Sequence, residues 1–211
     1  MKKIKICGMF NPDNINAVGL SDIDLMGFIF YPKSKRFVAE DINTTVDNLP
    51  SHIKKVGVFV NATREEVIEK VQQYHLDYIQ LHGDETVEEC RFYTEKGIKV
   101  LKAFSIGTTE DLDKTKPYSP YCELFVFDTP TANYGGSGQS FDWRVLHHYH
   151  GETPYLLSGG LGIHNIKQAL LLTEEKLIGF DINSKLENNQ YQKDINLVQQ
   201  LVNNIRKHER I

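Results

Sequence analysis

The chain has 211 residues, 40% of them hydrophobic and 25% charged, and carries a formal net charge of −4. That length buries a sizeable core, and the mild acidity argues against a nucleic-acid partner, which would call for a basic face. Cys7, Cys90 and Cys122 are odd in number, lack metal-ligand spacing and sit in a chain too long to need disulfide staples, so a reduced, cytoplasmic setting is expected. The apolar run after the N-terminal lysines is too short for a signal peptide or a membrane span, so no membrane association is expected.

Short, apolar, β-branched runs recur along the chain as strand candidates: Lys2 to Cys7, Leu25 to Phe30, Lys55 to Val60, Tyr78 to His82, Val100 to Phe104, Leu124 to Asp128, Pro154 to Ser158 and Leu177 to Ile182. Helical periodicity fills Thr63 to His75, Glu85 to Lys96, Ile163 to Leu172 and Asp194 to Lys207. Thr63 to Glu66 fits a capping box, as does Thr108 or Thr109 ahead of Asp111. Gly97 stands where a helix needs its C-cap, and Asp142 is placed to cap a helix near Trp143. Pro50 and Pro117 interrupt or end the helices after the second and fifth strands.

Strands alternating with helices imply parallel pairing and right-handed crossovers. Eight such units without a linker predict an α/β fold, one (β/α)₈ barrel domain over residues 1–211, with its active site at the C-terminal strand ends. An open doubly wound sheet is the rival, but Cys7-Gly8-Met9-Phe10-Asn11-Pro12 is not its glycine-rich fingerprint.

The strand ends are therefore where chemistry is sought. Cys7 ends the first strand; position alone leaves it equally a small buried hydrophobe or a base, the latter only with its thiol brought down toward neutral pH. Lys33, Lys35 and Arg36 make the loop after the second strand basic, and Arg36 suits a bidentate pair with a carboxylate or phosphate. Gln80 and His82 alternate with apolar neighbours and point into the barrel as supports for the site. Lys102 on the fifth strand points either inward or among the helices. Asp128, ending a very apolar strand, loses solvation, which favours its protonated form and suits a general acid. Glycines around Gly136 and Ser137 free the next loop to approach an anion, and these two residues are assigned to phosphate binding. Gly159, Gly160, Asn183 and Ser184, after the last two strands, form a phosphate-site hypothesis; the plain alternative for Gly159-Gly160 is a tight turn.

Taken jointly, Lys5-Ile6-Cys7-Gly8, Pro32 to Val38, Gln80-Leu81-His82-Gly83, Gly135 to Gly138 with Phe141-Asp142-Trp143, Ser158 to Leu161 and Gly179-Phe180-Asp181 resemble the phosphoribosylanthranilate isomerase family of tryptophan biosynthesis. The resemblance runs from the first strand to the last helix. It implies an Amadori rearrangement of N-(5-phosphoribosyl)anthranilate without metal or organic cofactor. On that pattern Asp128 is the general acid and Cys7 the general base. Arg36 holds the anthranilate carboxylate, Asp181 lies near the anthranilate amine, and the last two loops hold phosphate.

The sequence also departs from the pattern. Asn183 stands where serine is expected, Lys185 where glycine is expected, and Gln190-Tyr191 where proline-glycine is usual, although Lys193-Asp194 follows as expected. A related isomerase of histidine biosynthesis resembles a two-aspartate design, which Cys7 disfavours. A barrel that merely binds a phosphorylated metabolite is the non-catalytic alternative. The expected partner is a small phosphorylated molecule, with the chain a monomer or homodimer; Phe10, Phe37 and Tyr191 are read as exposed apolar groups.

Overall fold

A computed structural model describes residues 1–130 and 142–209. In it eight parallel strands close into a barrel in sequence order: β1 Lys3–Cys7, β2 Leu25–Ile29, β3 Lys54–Phe59, β4 Tyr78–Leu81, β5 Lys99–Ser105, β6 Leu124–Asp128, β7 Tyr155–Leu157 and β8 Leu177–Ile182. Every predicted strand is present, each end at the expected residue or its neighbour. Nearly continuous apolar runs are what a parallel sheet needs when both its faces are covered. The register sets Cys7 beside Gly27 across β1 and β2. The barrel closes with Lys5 beside Asp181 across β1 and β8.

Alternation along the strands separates two cores. Leu25, Val56, Leu101, Val126 and Leu156 fill the lumen. Ile4, Ile6, Phe28, Phe125 and Phe127 face the helices as part of the larger outer core. Lys5, Gln80 and Asp181 share the lumen with the apolar plug and are almost wholly buried. An all-apolar filling would have served stability alone, so these three make this part of the lumen the candidate place for chemistry.

The helical shell comprises α1 Pro12–Gly19, α2 Asn43–Asp47, α3 Arg64–Gln73, α4 Val87–Glu95, α5 Thr109–Asp113, α6 Ile166–Ala169 and α7 Ile195–His208, with 3₁₀ turns at Lys116–Tyr121, Trp143–His148 and Ser184–Leu186. Thr63 and Glu66 form the expected capping box on α3, and Thr108 with Asp111 forms the one on α5. The elements after β2 and β5 are short, as the prolines required. Unforeseen from periodicity, α1 is nonetheless signalled locally: Asn11 accepts from the Asn14 N–H and Pro12 opens the first turn. The helix expected over Ile163 to Leu172 shrinks to α6. Its entry residue Asn165 spends its side chain on the preceding loop, accepting from Gly162 N and donating to Gly160 O.

On α7 the residues Val198, Leu201, Val202 and Ile205 are buried as one stripe. Arg206 beside them donates to Lys2 O at 2.7 Å and to Asp24 at 2.7 Å, fastening the last helix to the first strand. Phe10, Phe37 and Tyr191 prove half-buried rather than exposed; Phe10 leans on the outer core. Among the described residues no helix is long and apolar enough to cross a membrane.

Candidate active site

At the C-terminal mouth one cavity is lined by Cys7, Gln80, His82, Asp128, Gly159, Gly160, Asp181, Asn183 and Ser184. Residues that strand-end reasoning selected from five parts of the chain thus converge, while Arg36 does not line this cavity. Gly136 and Ser137, assigned above to phosphate binding, lie outside the described residues.

Cys7 owes its place to its neighbour strand. A Cβ built on Gly27 would lie 2.7 Å from the Cys7 sulfur, so only glycine leaves room for the thiol. Two residues earlier on the same inward face, Lys5 donates to Gln80 Oε1 at 2.7 Å and to Asp181 Oδ2 at 2.8 Å. Burial works against the Lys5 charge, but the Asp181 carboxylate and Cys7 outweigh it and hold the ammonium above its ordinary pKa. For Cys7 the balance falls the other way. Burial pushes the thiol up, Lys5 and Lys193 oppose the rise, and Asp181 adds to it. The sequence asks for a depressed thiol, whereas the enclosed lumen of the free protein keeps the proton on sulfur.

The hydrogen-bonding inventory fixes one tautomer. A lysine ammonium only donates, so the Gln80 atom facing Lys5 is oxygen and the amide nitrogen faces His82 Nδ1, 2.6 Å away. That ring nitrogen then accepts, and the His82 proton sits on Nε2, 3.3 Å from Asp128 Oδ2. The other Asp128 oxygen accepts from Thr129 N at 2.8 Å. A polar chain therefore runs from Lys5 beneath Cys7, through Gln80 and His82, to Asp128. Asp181 keeps its second oxygen, Oδ1, buried and without a partner. An unpaired carboxylate oxygen at this depth costs on the order of 1–3 kcal/mol or more, and it is available to a donor entering the cavity.

Arg36 sits at the rim. Its Nε and Nη2 donate to the two oxygens of Glu187 at 2.7 and 2.6 Å. The carboxylate that the sequence sought for Arg36 is thus present within the chain itself. Lys193, its side chain fully buried, donates to Glu187 and, at 2.7 Å, to Asn183 Oδ1. Burial drives Lys193 down to about 8, although Glu187 supports its charge. Asn183, assigned to phosphate, spends its carbonyl oxygen on Lys193 and retains only its amide N–H groups for a ligand. Gly159 and Gly160 take positive φ, +88° and +64°, in the turn after β7. They line the same cavity as Asn183 and Ser184, on the loops that follow the neighbouring strands β7 and β8, where the two loops can hold an anion between them.

A family model described as N-(5'phosphoribosyl)anthranilate (PRA) isomerase matches residues 4–204. The chain belongs to this family. The N-(5'-phosphoribosyl)anthranilate isomerase of Parabacteroides distasonis is 45% identical over 207 residues, spanning 94% of this chain and 93% of that protein. The crystal structure of the Thermotoga maritima PRA isomerase matches with a TM-score of 0.87 at 32% identity, covering 98% of this chain and all of that one. Another PRA isomerase structure, in complex with reduced 1-(o-carboxyphenylamino)-1-deoxyribulose 5-phosphate, matches with a TM-score of 0.84 at 29% identity and covers 98% of this chain. The T. maritima protein is described as dimeric.

Within this PRA isomerase frame, three site residues escape the sequence reading. Lys5 carries a usable signal, since it stands two residues before Cys7 on a strand and so shares its face. Glu187 carries none and Lys193 only the resemblance at Lys193-Asp194, because the two meet only through the bridge that pairs them across the loop after β8. Lys102, left open above, lies on the outer face of β5, where it donates to Glu85 at 3.3 Å and to the carbonyls of Leu81, Gly83 and Ala103.

Proposed function

We propose that this protein, read as one barrel domain over residues 1–211, converts N-(5-phosphoribosyl)anthranilate into 1-(2-carboxyphenylamino)-1-deoxyribulose 5-phosphate, with Asp128 as general acid and Cys7 as general base. The observation that carries this reading is that Cys7 and Asp128, ending β1 and β6, line one cavity. Asp128 gives a proton to the ribose ring oxygen as the bond to the anomeric carbon breaks, leaving an imine to the anthranilate nitrogen. The open oxygen of Asp181 accepts the N–H there and supports the positive charge that develops. Cys7 as thiolate removes the proton from the adjacent carbon, and the resulting enolamine tautomerises to the ketone. Its proton affinity, raised by burial, makes the thiolate a strong base once formed; Lys5 and Lys193 supply the positive potential that offsets the cost of forming it.

The substrate fits the remaining surfaces. Ile29, Val58 and Val60 offer an apolar wall for an aromatic ring on the side of the β2 loop. Arg36 on that loop receives the ring carboxylate, and Gly159, Gly160, Asn183 and Ser184 receive the phosphate. Gln80 and His82 orient Asp128 from below. The small phosphorylated substrate is the partner assigned, and the chain acts as a monomer or a homodimer.

Turnover of freshly generated phosphoribosylanthranilate, followed by loss of its fluorescence, tests the assignment. Cys7→Ala and Asp128→Asn are each expected to cut turnover at least about a hundredfold, the scale of one general acid or base. A near-parental rate in either variant would sink the role given to that residue.

A further inference from the structure

The rim cluster contains a residue in an unfavourable conformation. Tyr191 stands at φ +61°, a left-handed backbone uncommon and strained for a bulky side chain. The turn around it is well fastened. Asn188 N donates to Gln192 O at 2.9 Å, Tyr191 N donates to Asn188 O at 3.1 Å, and Asn188 Oδ1 accepts from Gln190 N and Gln192 N. Glycine would make the same backbone turn without steric cost, so the reason for tyrosine lies in its side chain.

That side chain faces the β2 loop. The Arg36 guanidinium carbon lies 5.6 Å from the ring centroid and the Lys35 ammonium 5.2 Å, both within cation–π range. Glu187 grips the guanidinium along its Nε–Nη2 edge. This leaves both Nη1 protons and one on Nη2, the end-on edge that suits a second carboxylate. An edge contact alone lets the planar group tilt out of the carboxylate plane; an aromatic surface beside it restricts the tilt. Charge agrees with this role. Arg36 and Lys193 set against Glu187 leave one positive charge in excess, and Lys35 adds another, so the rim favours an anion.

We propose that Tyr191 is a positioning residue: with Glu187 it orients the Arg36 guanidinium so that its free edge meets the substrate carboxylate. The inference rests on the carboxylate role assigned to Arg36 above, and the test separates the two. Tyr191→Gly, Tyr191→Phe and Arg36→Ala are compared by steady-state kinetics with phosphoribosylanthranilate, by inhibition with inorganic phosphate, and by thermal unfolding.

Tyr191→Gly is expected to raise KM roughly two- to fivefold, the scale of an exposed cation–π contact, with kcat and the phosphate inhibition constant close to parental. Its melting temperature should hold or rise because the strained conformation is relieved. Tyr191→Phe keeps the ring and should restore the parental KM. Arg36→Ala should raise KM further, by about ten- to a hundredfold, as for a lost charged hydrogen-bond pair. An unchanged KM in Tyr191→Gly, with a raised one in Arg36→Ala, overturns the positioning role alone. An unchanged KM in Arg36→Ala overturns the carboxylate reading beneath it. A fall in both kcat and melting temperature in Tyr191→Gly makes the residue structural, and a KM in Tyr191→Phe as high as in Tyr191→Gly takes the effect away from the ring; either result defeats the proposal.

Discussion

Lys5 and Lys102 are both buried lysines on barrel strands, and each meets a carboxylate. Lys5 on β1 points into the lumen and faces Asp181; Lys102 on β5 points outward and faces Glu85. Around Lys102 the polar shell is closed. Its ammonium reaches three backbone carbonyls as well as Glu85, and Glu85 in turn accepts from Asn61 N at 2.8 Å and Gly83 N at 2.9 Å. The group pins the loops after β3 and β4 and leaves nothing for a ligand. Around Lys5 the shell is open at one point, the unpartnered Oδ1 of Asp181. A closed buried network serves the fold, whereas an open one stores the capacity to bind.

Exchanging each lysine for methionine tests that contrast, and the larger effect is expected in the lumen. Lys5→Met strands Asp181 Oδ2 and Gln80 Oε1 without their donor and removes the cation nearest Cys7. Breaking a buried pair from one side costs about 3–5 kcal/mol, read by urea unfolding, and turnover should fall by about a hundredfold as the thiolate loses its counter-charge. In Lys102→Met the partner Glu85 keeps two backbone donors, so the cost should be about 1–3 kcal/mol with KM and kcat unchanged. Equal losses of turnover in the two variants would break the comparison. Full activity in Lys5→Met would remove Lys5 from the chemistry.

The contrast also explains how much was legible beforehand. The barrel could be read because a parallel sheet covered on both faces writes each strand as an unbroken apolar run. The lumen side of the site could be read because strand alternation is a strict period of two: Gln80 and His82 face inward by the same rule that sets Lys102 outward once Leu101 and Ala103 are known to fill the lumen. The rim could not be read in this way. Arg36 was singled out by its chemistry, but the Glu187 that grips it belongs to a loop whose shape depends on a hairpin closure. Lys193 looks like a solvated loop charge and is in fact buried. The state of the Cys7 thiol was not legible for a related reason, since burial is collective and no local spacing reports it.

The rim and the lumen differ once more in how they respond to pH, and this gives the smallest expected effect. Lys193 is held at about 8 by burial, and the charged or titratable groups that act on it are Glu187, Arg36 and Cys7. Below that value it is protonated, and Arg36 and Lys193 exceed Glu187 by one positive charge. As pH rises through about 8 the ammonium loses its proton, the positive excess at the rim falls by one charge, and the rim attracts the substrate carboxylate less. The sign is therefore a KM that climbs from about pH 7 to pH 9. The step should be about fivefold, corresponding to roughly 1 kcal/mol for unit charges a few ångströms apart in water. The lumen responds in the opposite sense, because a higher pH converts more Cys7 to thiolate and raises kcat, so the two parameters separate the two regions. Lys193→Met, with no proton to lose, should show a KM already raised and level across the same window. A parental KM that stays level from about pH 7 to pH 9, or a variant that keeps the step, would remove Lys193 from the recognition of the carboxylate.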